Sequence, residues 1–164
     1  MDPLFLFELI GRYTGTNQLI LSPDAPPRAS QATASITPIS RGKLVRLDYT
    51  WDDDGPQEGS LLIGAQDGRD GMLAAWTDSW HLGTKLLVCT GDIDATALRV
   101  LGSYTAVGAG APPGPDWGWR IVVQRADAGS FILRMFNIAP DAQGGTDGDG
   151  DLAVDAHFHP VEQR

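Results

Sequence analysis

The chain has 164 residues, of which 42% are hydrophobic, and a formal net charge of −9. This length fits one domain with its own hydrophobic core, and the negative charge argues against nucleic acid and anionic membrane surfaces as partners. Twenty glycines and eleven prolines interrupt the chain often, which favours many short strands over a few long helices. The single cysteine, Cys89, excludes an intramolecular disulfide, and its apolar neighbours predict a buried thiol in a reducing compartment.

The N-terminal segment predicts a short helix over residues 3–10, since Pro3 is tolerated at a helix start and Gly11 follows the apolar run. Asp2 and Glu8 interrupt this run and no basic residues precede it. We therefore expect neither a signal peptide nor a membrane span, and by default a cytoplasmic protein.

The rest of the chain predicts ten strands separated by turns rich in Gly, Asp and Pro. The predicted strands cover residues 11–21, 31–39, 43–51, 59–65, 71–80, 84–92, 97–107, 117–125, 131–138 and 152–160. Because most connections are short, successive strands should pair antiparallel, and closing the sheet removes its two edges. The expected fold is all-β: a single up-and-down antiparallel barrel of about ten strands in one domain (1–164), preceded by the short helix.

Three residues of the fifth predicted strand, Trp76, Asp78 and Trp80, alternate along the chain and should share one face. Two flat apolar walls with one carboxylate between them are typical of a small-molecule pocket. The same trio also fits an ordinary core with a structural aspartate. The sequence leaves both interpretations open.

The polar partner of Asp78 decides between these interpretations. If Arg120 or Arg134 reaches Asp78 across the barrel, the pKa of the carboxyl falls and the pair becomes an ion pair or an anion clamp. Without such a partner, apolar surroundings raise this pKa, and the carboxyl becomes an acid or base near neutral pH. A serine–histidine–aspartate triad is not expected, because on a continuous strand Ser79 and His81 face away from Asp78.

Two further histidines, His157 and His159, alternate with Asp155 in the last predicted strand. These residue types can hold a metal or a haem iron. The opposite face of the same strand is apolar, so we expect the histidines to face solvent. We expect no metal and no cofactor.

The middle of the chain resembles a known family. The segments RGKLVRLDY, QEGSLLIGAQD and AAWTDSWHLGTK are similar to motifs of an uncharacterised bacterial family of calycin-like barrels, domain of unknown function 1579. The matching positions are Gly42, Glu58, Gly59, Gly64, Asp67, Trp76, Asp78, Gly83 and Thr84, with Arg120 as a match in a later strand. Gly11-x-Tyr13-x-Gly15 resembles the opening strand of calycin barrels. The resemblance implies a barrel distantly similar to lipocalins, fatty-acid-binding proteins and nitrobindin-type barrels, and it implies no activity.

We therefore expect a small apolar or amphipathic ligand in the lumen, bound without being transformed, so that no residue is catalytic. The residues expected to contact it are Trp76, Asp78, Trp80, Arg120, Arg134, Tyr49, Tyr104 and Trp119. Three alternatives stay open. One is an isomerase, cyclase or decarboxylase that uses Asp78 as acid or base. Another is a nitrobindin-like protein that binds haem through His157 or His159. The last is a homodimer formed through an apolar outer face.

Overall fold

The structure, a computed structural model, describes residues 4–105, 114–141 and 148–161. Helix α1 spans Leu4–Glu8, and a 3-10 turn spans Asp127–Gly129. The strands are β1 (Gly11–Leu19), β2 (Arg28–Ile39), β3 (Leu44–Asp52), β4 (Pro56–Ala65), β5 (Met72–Asp78), β6 (Leu87–Ile93), β7 (Ala97–Thr105), β8 (Asp116–Arg125), β9 (Phe131–Ile138) and β10 (Asp151–Pro160). Within the described ranges, no helix has the length and apolar character needed to cross a membrane.

The ten strands form one closed antiparallel barrel. Each strand pairs with its neighbours in the chain, and β1 closes the barrel against β10, with Tyr13 opposite Pro160 and Leu19 opposite Val154. This confirms the predicted all-β fold with a closed up-and-down barrel and one short helix. Closure pairs every strand on both sides, so no strand of the described barrel is left as an edge.

Alternation along each strand fills the lumen with apolar side chains. In β3, for example, Val45, Leu47 and Tyr49 are buried, while Arg46 and Thr50 are exposed. Burial of one such aliphatic side chain contributes about 1.5–3 kcal/mol. The inward residues of all ten strands thus form a single core within the barrel.

Helix α1 covers one end of the barrel. Its residues Phe5 and Leu6 are buried in the core, and the hydroxyl of Tyr13 donates to the backbone oxygen of Leu9 at 2.6 Å. Arg125, at the end of β8, pairs with Glu8 and fixes the helix to the rim. We call the opposite end, where β5 ends and β6 begins, the tryptophan end, because Trp51, Trp76, Trp80 and Trp119 lie there.

Most predicted strands match the observed ones, and the differences lie at their ends. The fifth strand was expected to continue to Trp80, but β5 stops at Asp78. The sixth begins at Leu87, three residues after its predicted start at residue 84. The predicted end of the seventh strand, residues 106 and 107, lies outside the described residues. The early end of β5 has the largest consequence, because it changes where the next three side chains point.

Candidate functional site

The chain reverses direction at Asp78. The backbone N–H groups of Leu82 and Gly83 both donate to the backbone oxygen of Asp78 at 3.0 Å. Its side-chain Oδ1 accepts the backbone N–H groups of Trp80 and His81, each at 2.9 Å. Aspartate favours such turns because its carboxylate bonds backbone groups two or three residues ahead.

This turn makes one prediction wrong. Trp76 and Asp78 do share the inner face of β5, with 1% of each residue exposed. Trp80 does not, because the strand has already ended; its side chain lies at the rim, and 40% of the residue is exposed.

The Asp78 carboxylate contacts His81 instead of an arginine. Its Oδ1 lies 2.9 Å from Nδ1 of His81, and its Oδ2 accepts the hydroxyl of Tyr49 at 2.8 Å. Burial raises the pKa of Asp78, but the hydrogen bonds and charge of His81 and the Tyr49 hydroxyl outweigh it, so that the pKa lies below its usual value. An ionised carboxylate only accepts hydrogen bonds, which assigns the Nδ1 proton to His81.

Neither of the two arginines that the sequence offered as partners of Asp78 is hydrogen-bonded to it. The guanidinium of Arg120 donates to the backbone oxygens of Gly148 and Asp149. That of Arg134 donates to the carboxylate of Asp155 and to Gln124. Both arginines occupy outward positions of their strands, since their neighbours Trp119, Ile121, Leu133 and Met135 point inward. Strand alternation therefore separates them from the lumen.

Tyr49 connects Asp78 to the indole of Trp76. The Nε1 of Trp76 donates to the Tyr49 hydroxyl at 2.9 Å, and that hydroxyl donates onward to Asp78. Burial and the nearby Asp78 charge raise the pKa of Tyr49 well above its usual value, so the hydroxyl keeps its proton. With Tyr49, His81 Nδ1 and two backbone N–H groups, Asp78 accepts four hydrogen bonds. Three of these bonds reach Oδ1 and one reaches Oδ2, so most acceptor positions of the carboxylate are occupied within the protein.

His81 was not among the predicted site residues, yet it lies at the centre of the tryptophan end. Its ring centroid is 4.7 Å from that of Trp80 and 5.1 Å from that of Trp119. The rings of Trp51 and Trp76 lie at 6.0 and 5.9 Å. Only 10% of the His81 side chain is exposed. Because Nδ1 faces Asp78, the free nitrogen is Nε2, which has no hydrogen-bond partner within the described ranges.

A small cavity of about 10 Å³ lies in the lumen beside His81. It has room for about one water molecule. Its polar lining includes Asn17 and His81, and its apolar lining consists of Ala32, Trp51, Leu133, Val154, Ala156 and Phe158. Asn17 is 4% exposed, so its carboxamide is a largely buried polar group that lines the cavity.

The predicted aromatic walls come together in part. Trp76 and Trp119 stack with their centroids 5.4 Å apart and their planes 7° from parallel. The Nε1 of Trp119 is buried and has no hydrogen-bond partner among the described residues. Tyr104 lies farther out, with its ring 6.5 Å from that of Trp119 and its hydroxyl donating to Asn137. The aromatic cluster is therefore centred on His81, with Tyr104 at its margin.

A concavity of about 730 Å³ lies on the outside of β1–β5. Short polar side chains line it, and several of them already bond one another. Thr33 and Thr50 share a hydrogen bond of 2.6 Å, and Ser60 donates to Asp48 at 2.7 Å. The lumen end is the better candidate site, since Nε1 of Trp119 is buried there without a partner among the described residues, whereas several polar groups of the groove bond one another.

The C-terminal histidines lie on the outer face of β10, away from the aromatic cluster. His157 contacts Asp155 at 3.2 Å, and His159 contacts the Ser130 hydroxyl at 3.0 Å. Within residues 4–105, 114–141 and 148–161, no group of three or more His, Cys, Asp or Glu side chains is placed to hold a metal ion. Cys89 is fully buried, and burial raises the pKa of its thiol to about 12.

Comparison with protein families assigns the chain to one family. Residues 4–146 match the family described as a protein of unknown function, DUF1579. The chain belongs to this family. No curated protein matches it. The match confirms the family suggested by the sequence motifs, whereas the wider likeness to calycins stays a prediction.

Several DUF1579-like positions of the sequence meet at the tryptophan end. Trp76 and Asp78 belong to the hydrogen-bonded chain itself. Gly59 lies on β4 directly between Tyr49 and Asp78 in the register. Gly83 has a φ of +59°, a conformation that glycine adopts without strain, and closes the turn that Asp78 begins. These DUF1579-like positions therefore hold Asp78 and its turn in place, and His81 is not one of them.

Proposed function

We propose that this barrel binds a small, largely apolar molecule at the tryptophan end of its lumen, through hydrogen bonds to His81 and Asn17. The observation that carries the proposal is Nε1 of Trp119, which is buried beside His81 without a hydrogen-bond partner among the described residues. A buried polar group without a hydrogen bond costs about 1–3 kcal/mol. A bound molecule with one polar group offsets that cost.

The cavity lining defines the chemistry of the ligand. Leu133, Val154 and Phe158 are apolar, and Ala32 and Ala156 are small enough to leave space at the barrel axis. The ligand is therefore mostly hydrocarbon, with one group that donates to or accepts from His81 Nε2 and Asn17. The role of Asp78 is to hold His81, whose Nδ1 lies 2.9 Å from Oδ1 of the carboxylate.

Entry of a ligand larger than water requires the Trp80 side chain to move away from the rim, while the hydrogen bonds from Asp78 to the turn of residues 79–86 keep His81 in place. The Trp80 side chain is at the rim, with 40% of the residue exposed, and the turn carries no regular strand pairing. A ligand that binds only the open arrangement shifts the population toward it.

Titration with 2-naphthol and with naphthalene, which lacks the hydroxyl, tests this proposal. Binding is followed through the indole N–H signals in NMR spectra. We expect 2-naphthol to bind more tightly, and Asn17→Ala and His81→Phe to reduce that advantage. Gln18→Ala, at the neighbouring outward position of β1, serves as the control and should leave it unchanged. Equal affinity for both compounds, or no binding of either, would contradict the proposal.

Native mass spectrometry of protein purified from its own host supplies an independent test. A retained small molecule that is lost from the His81→Phe variant supports the proposal. A retained molecule that survives in both His81→Phe and Asn17→Ala places its binding elsewhere and contradicts it.

A further inference from the structure

We propose that His81 is a general base that acts through Nε2 on a planar, enolisable carbonyl compound bound at the tryptophan end. This inference rests on the proposed function, because the substrate occupies the same part of the lumen. It assigns to His81 the acid–base role that the sequence suggested for Asp78.

The Asp78–His81 pair has the arrangement of a carboxylate that orients a catalytic imidazole. Oδ1 of Asp78 lies 2.9 Å from Nδ1 of His81, which fixes the tautomer and leaves the Nε2 lone pair free. In such pairs the carboxylate also stabilises the imidazolium that forms when Nε2 takes up a proton. Asp78 itself is fixed by the hydroxyl of Tyr49 and by the backbone of its own turn.

The surroundings of His81 suit proton transfer. Four indole rings lie within 6.0 Å of its ring, so water is largely displaced from it. Among the described residues packed around it, the ionisable groups are Asp78 on β5 and Tyr49 on β3. Electrostatic interactions are stronger in such a low-dielectric site than in water, which favours the imidazolium–carboxylate pair during transfer.

A hydrogen-bond donor for the developing negative charge is available in the same cluster. The Nε1 of Trp119 is buried without a partner, and the Trp119 ring lies 5.1 Å from that of His81. Buried donors without partners often mark functional sites. The carboxamide of Asn17, which lines the cavity, is a second donor.

The step is balanced without any co-reactant. Nε2 of His81 takes a proton from the carbon next to the carbonyl group, and the C–H electron pair forms a carbon–carbon double bond. The π electrons of the carbonyl move to its oxygen, which receives a hydrogen bond from Trp119 or Asn17. In a substrate with a carbon–carbon double bond next to the acidic carbon, the imidazolium then returns the proton to the far carbon of that bond. The oxyanion re-forms the carbonyl group as the double bond moves into conjugation with it, so that the net reaction is an isomerisation.

The position of Ser79 argues against acyl transfer at this site. Its hydroxyl donates to Gln57 and accepts the backbone N–H of Glu58 on the outer side of the barrel. It therefore cannot act as the nucleophile for His81. Direct proton abstraction needs no nucleophile, and it uses only the groups that converge at the tryptophan end.

The test uses 5-nitrobenzisoxazole, a planar carbon acid. A base removes its ring C–H proton, the N–O bond breaks, and a coloured cyanophenolate is released. We expect turnover about 100-fold faster than the same concentration of free imidazole. His81→Gln should reduce it to the imidazole level, and Asp78→Asn should lower kcat by about tenfold or more, because the ring loses its orientation. His157→Gln and His159→Gln, on the outer face, serve as controls that keep the full rate.

Binding of the inert isostere 5-nitrobenzimidazole separates the two proposals. Binding without turnover above the imidazole rate, or turnover that persists in His81→Gln, overturns the general base and leaves the binding function standing. Absence of both binding and turnover overturns both. If His81→Gln does not fold, wild-type protein is treated with diethyl pyrocarbonate. The loss of turnover should then parallel the modification of His81. A loss of turnover that parallels the modification of His157 or His159 instead overturns the inference.

Discussion

The hydroxyl of Tyr49 lies 2.8 Å from Oδ2 of Asp78, although β4 separates the strands that carry the two residues. Adjacent strands are about 4.8 Å apart, so the Tyr49 ring must cross the whole width of β4. The residue on β4 between them is Gly59, which pairs with Tyr49 on one side and Asp78 on the other. The missing side chain of Gly59 provides the space in which the ring lies.

Gly59→Ala should therefore break the contact between Tyr49 and Asp78. A Cβ at position 59 would lie 2.2 Å from both Cζ and the hydroxyl oxygen of Tyr49, so the ring must move. We expect a loss of about 1–3 kcal/mol in the free energy of unfolding, as for other overpacked cores. Urea unfolding measures it, and the indole N–H signal of Trp76 should shift because it loses its acceptor.

Gly11→Ala is the matched control for this substitution. Its Cβ would meet only the Tyr13 ring, at an ordinary contact distance of 3.8 Å. Its stability should stay within about 0.5 kcal/mol of wild type. Equal stability of the two alanine variants would show that the Tyr49 ring does not depend on the space at position 59.

Asp78→Asn should destabilise the protein most at neutral pH. Hydrogen bonds to a charged group contribute about 1.5–3 kcal/mol each, and the substitution removes the charge from four of them. Because folding lowers the pKa of Asp78, its stabilisation is complete above the usual carboxyl pKa of about 3.9 and is lost as the pH falls through the lower folded pKa.

The difference in unfolding free energy between wild type and Asp78→Asn should accordingly be constant from neutral pH down to about pH 5 and shrink below about pH 4. Urea unfolding at a series of pH values measures this difference. Asp24→Asn, at an exposed loop position, is the control and should change stability little at any pH. A difference that grows on acidification would contradict the assignment of an ionised, hydrogen-bonded Asp78.

Trp80→Ala should speed ligand association. The turn keeps its hydrogen bonds, since they use the backbone N–H of residue 80, while the ring at the rim is removed. We expect 2-naphthol to associate about tenfold faster, within the range that on-rates span among variants of one binding site. Stopped-flow fluorescence measures the rate. Trp117→Ala, outside the His81 cluster, is the control, and an equal increase there would contradict entry past Trp80.

Cys89 should be inert in the folded protein. Its side chain is fully buried on the inner face of β6, and burial raises the pKa of the thiol to about 12, so that little thiolate forms at neutral pH. A thiol-reactive dye should label it only after unfolding in urea. As a control, Val88→Cys in a Cys89→Ser background places the thiol at a position that is 56% exposed, and it should react at once. Rapid labelling of native Cys89 would contradict the packed lumen.

The sequence predicted the barrel well because the fold depends on local features that repeat along the chain. Alternating side chains and short turns specify ten antiparallel strands almost residue by residue. The turn after Asp78 was missed because the segment WTDSWH continues the alternation of a strand. The aspartate side chain instead bonds the backbone ahead of it, and this local preference ended the strand.

The site was predicted less well because it depends on that one turn. With the strand extended to Trp80, His81 was assigned to the face opposite Asp78, whereas the turn brings the two side chains together. The arginine alternative for Asp78 is a separate matter. Side chains alternate along a strand, so placing Trp119 in the lumen puts Arg120 on the outer face of β8, and the same alternation puts Arg134 on the outer face of β9. The sequence alone could therefore have excluded both arginines from the lumen. The small volume of the cavity depends on packing and leaves no trace in the sequence.

A crystal structure of the protein with bound 2-naphthol is the strongest test of ligand binding in the lumen. We expect the naphthalene rings to lie among the indoles of the tryptophan end. We also expect the hydroxyl of 2-naphthol to lie within hydrogen-bond distance of Nε2 of His81 or of the Asn17 carboxamide. A 2-naphthol molecule bound only in the outer groove of β1–β5, with the lumen still closed around a cavity of one water, would contradict binding in the lumen.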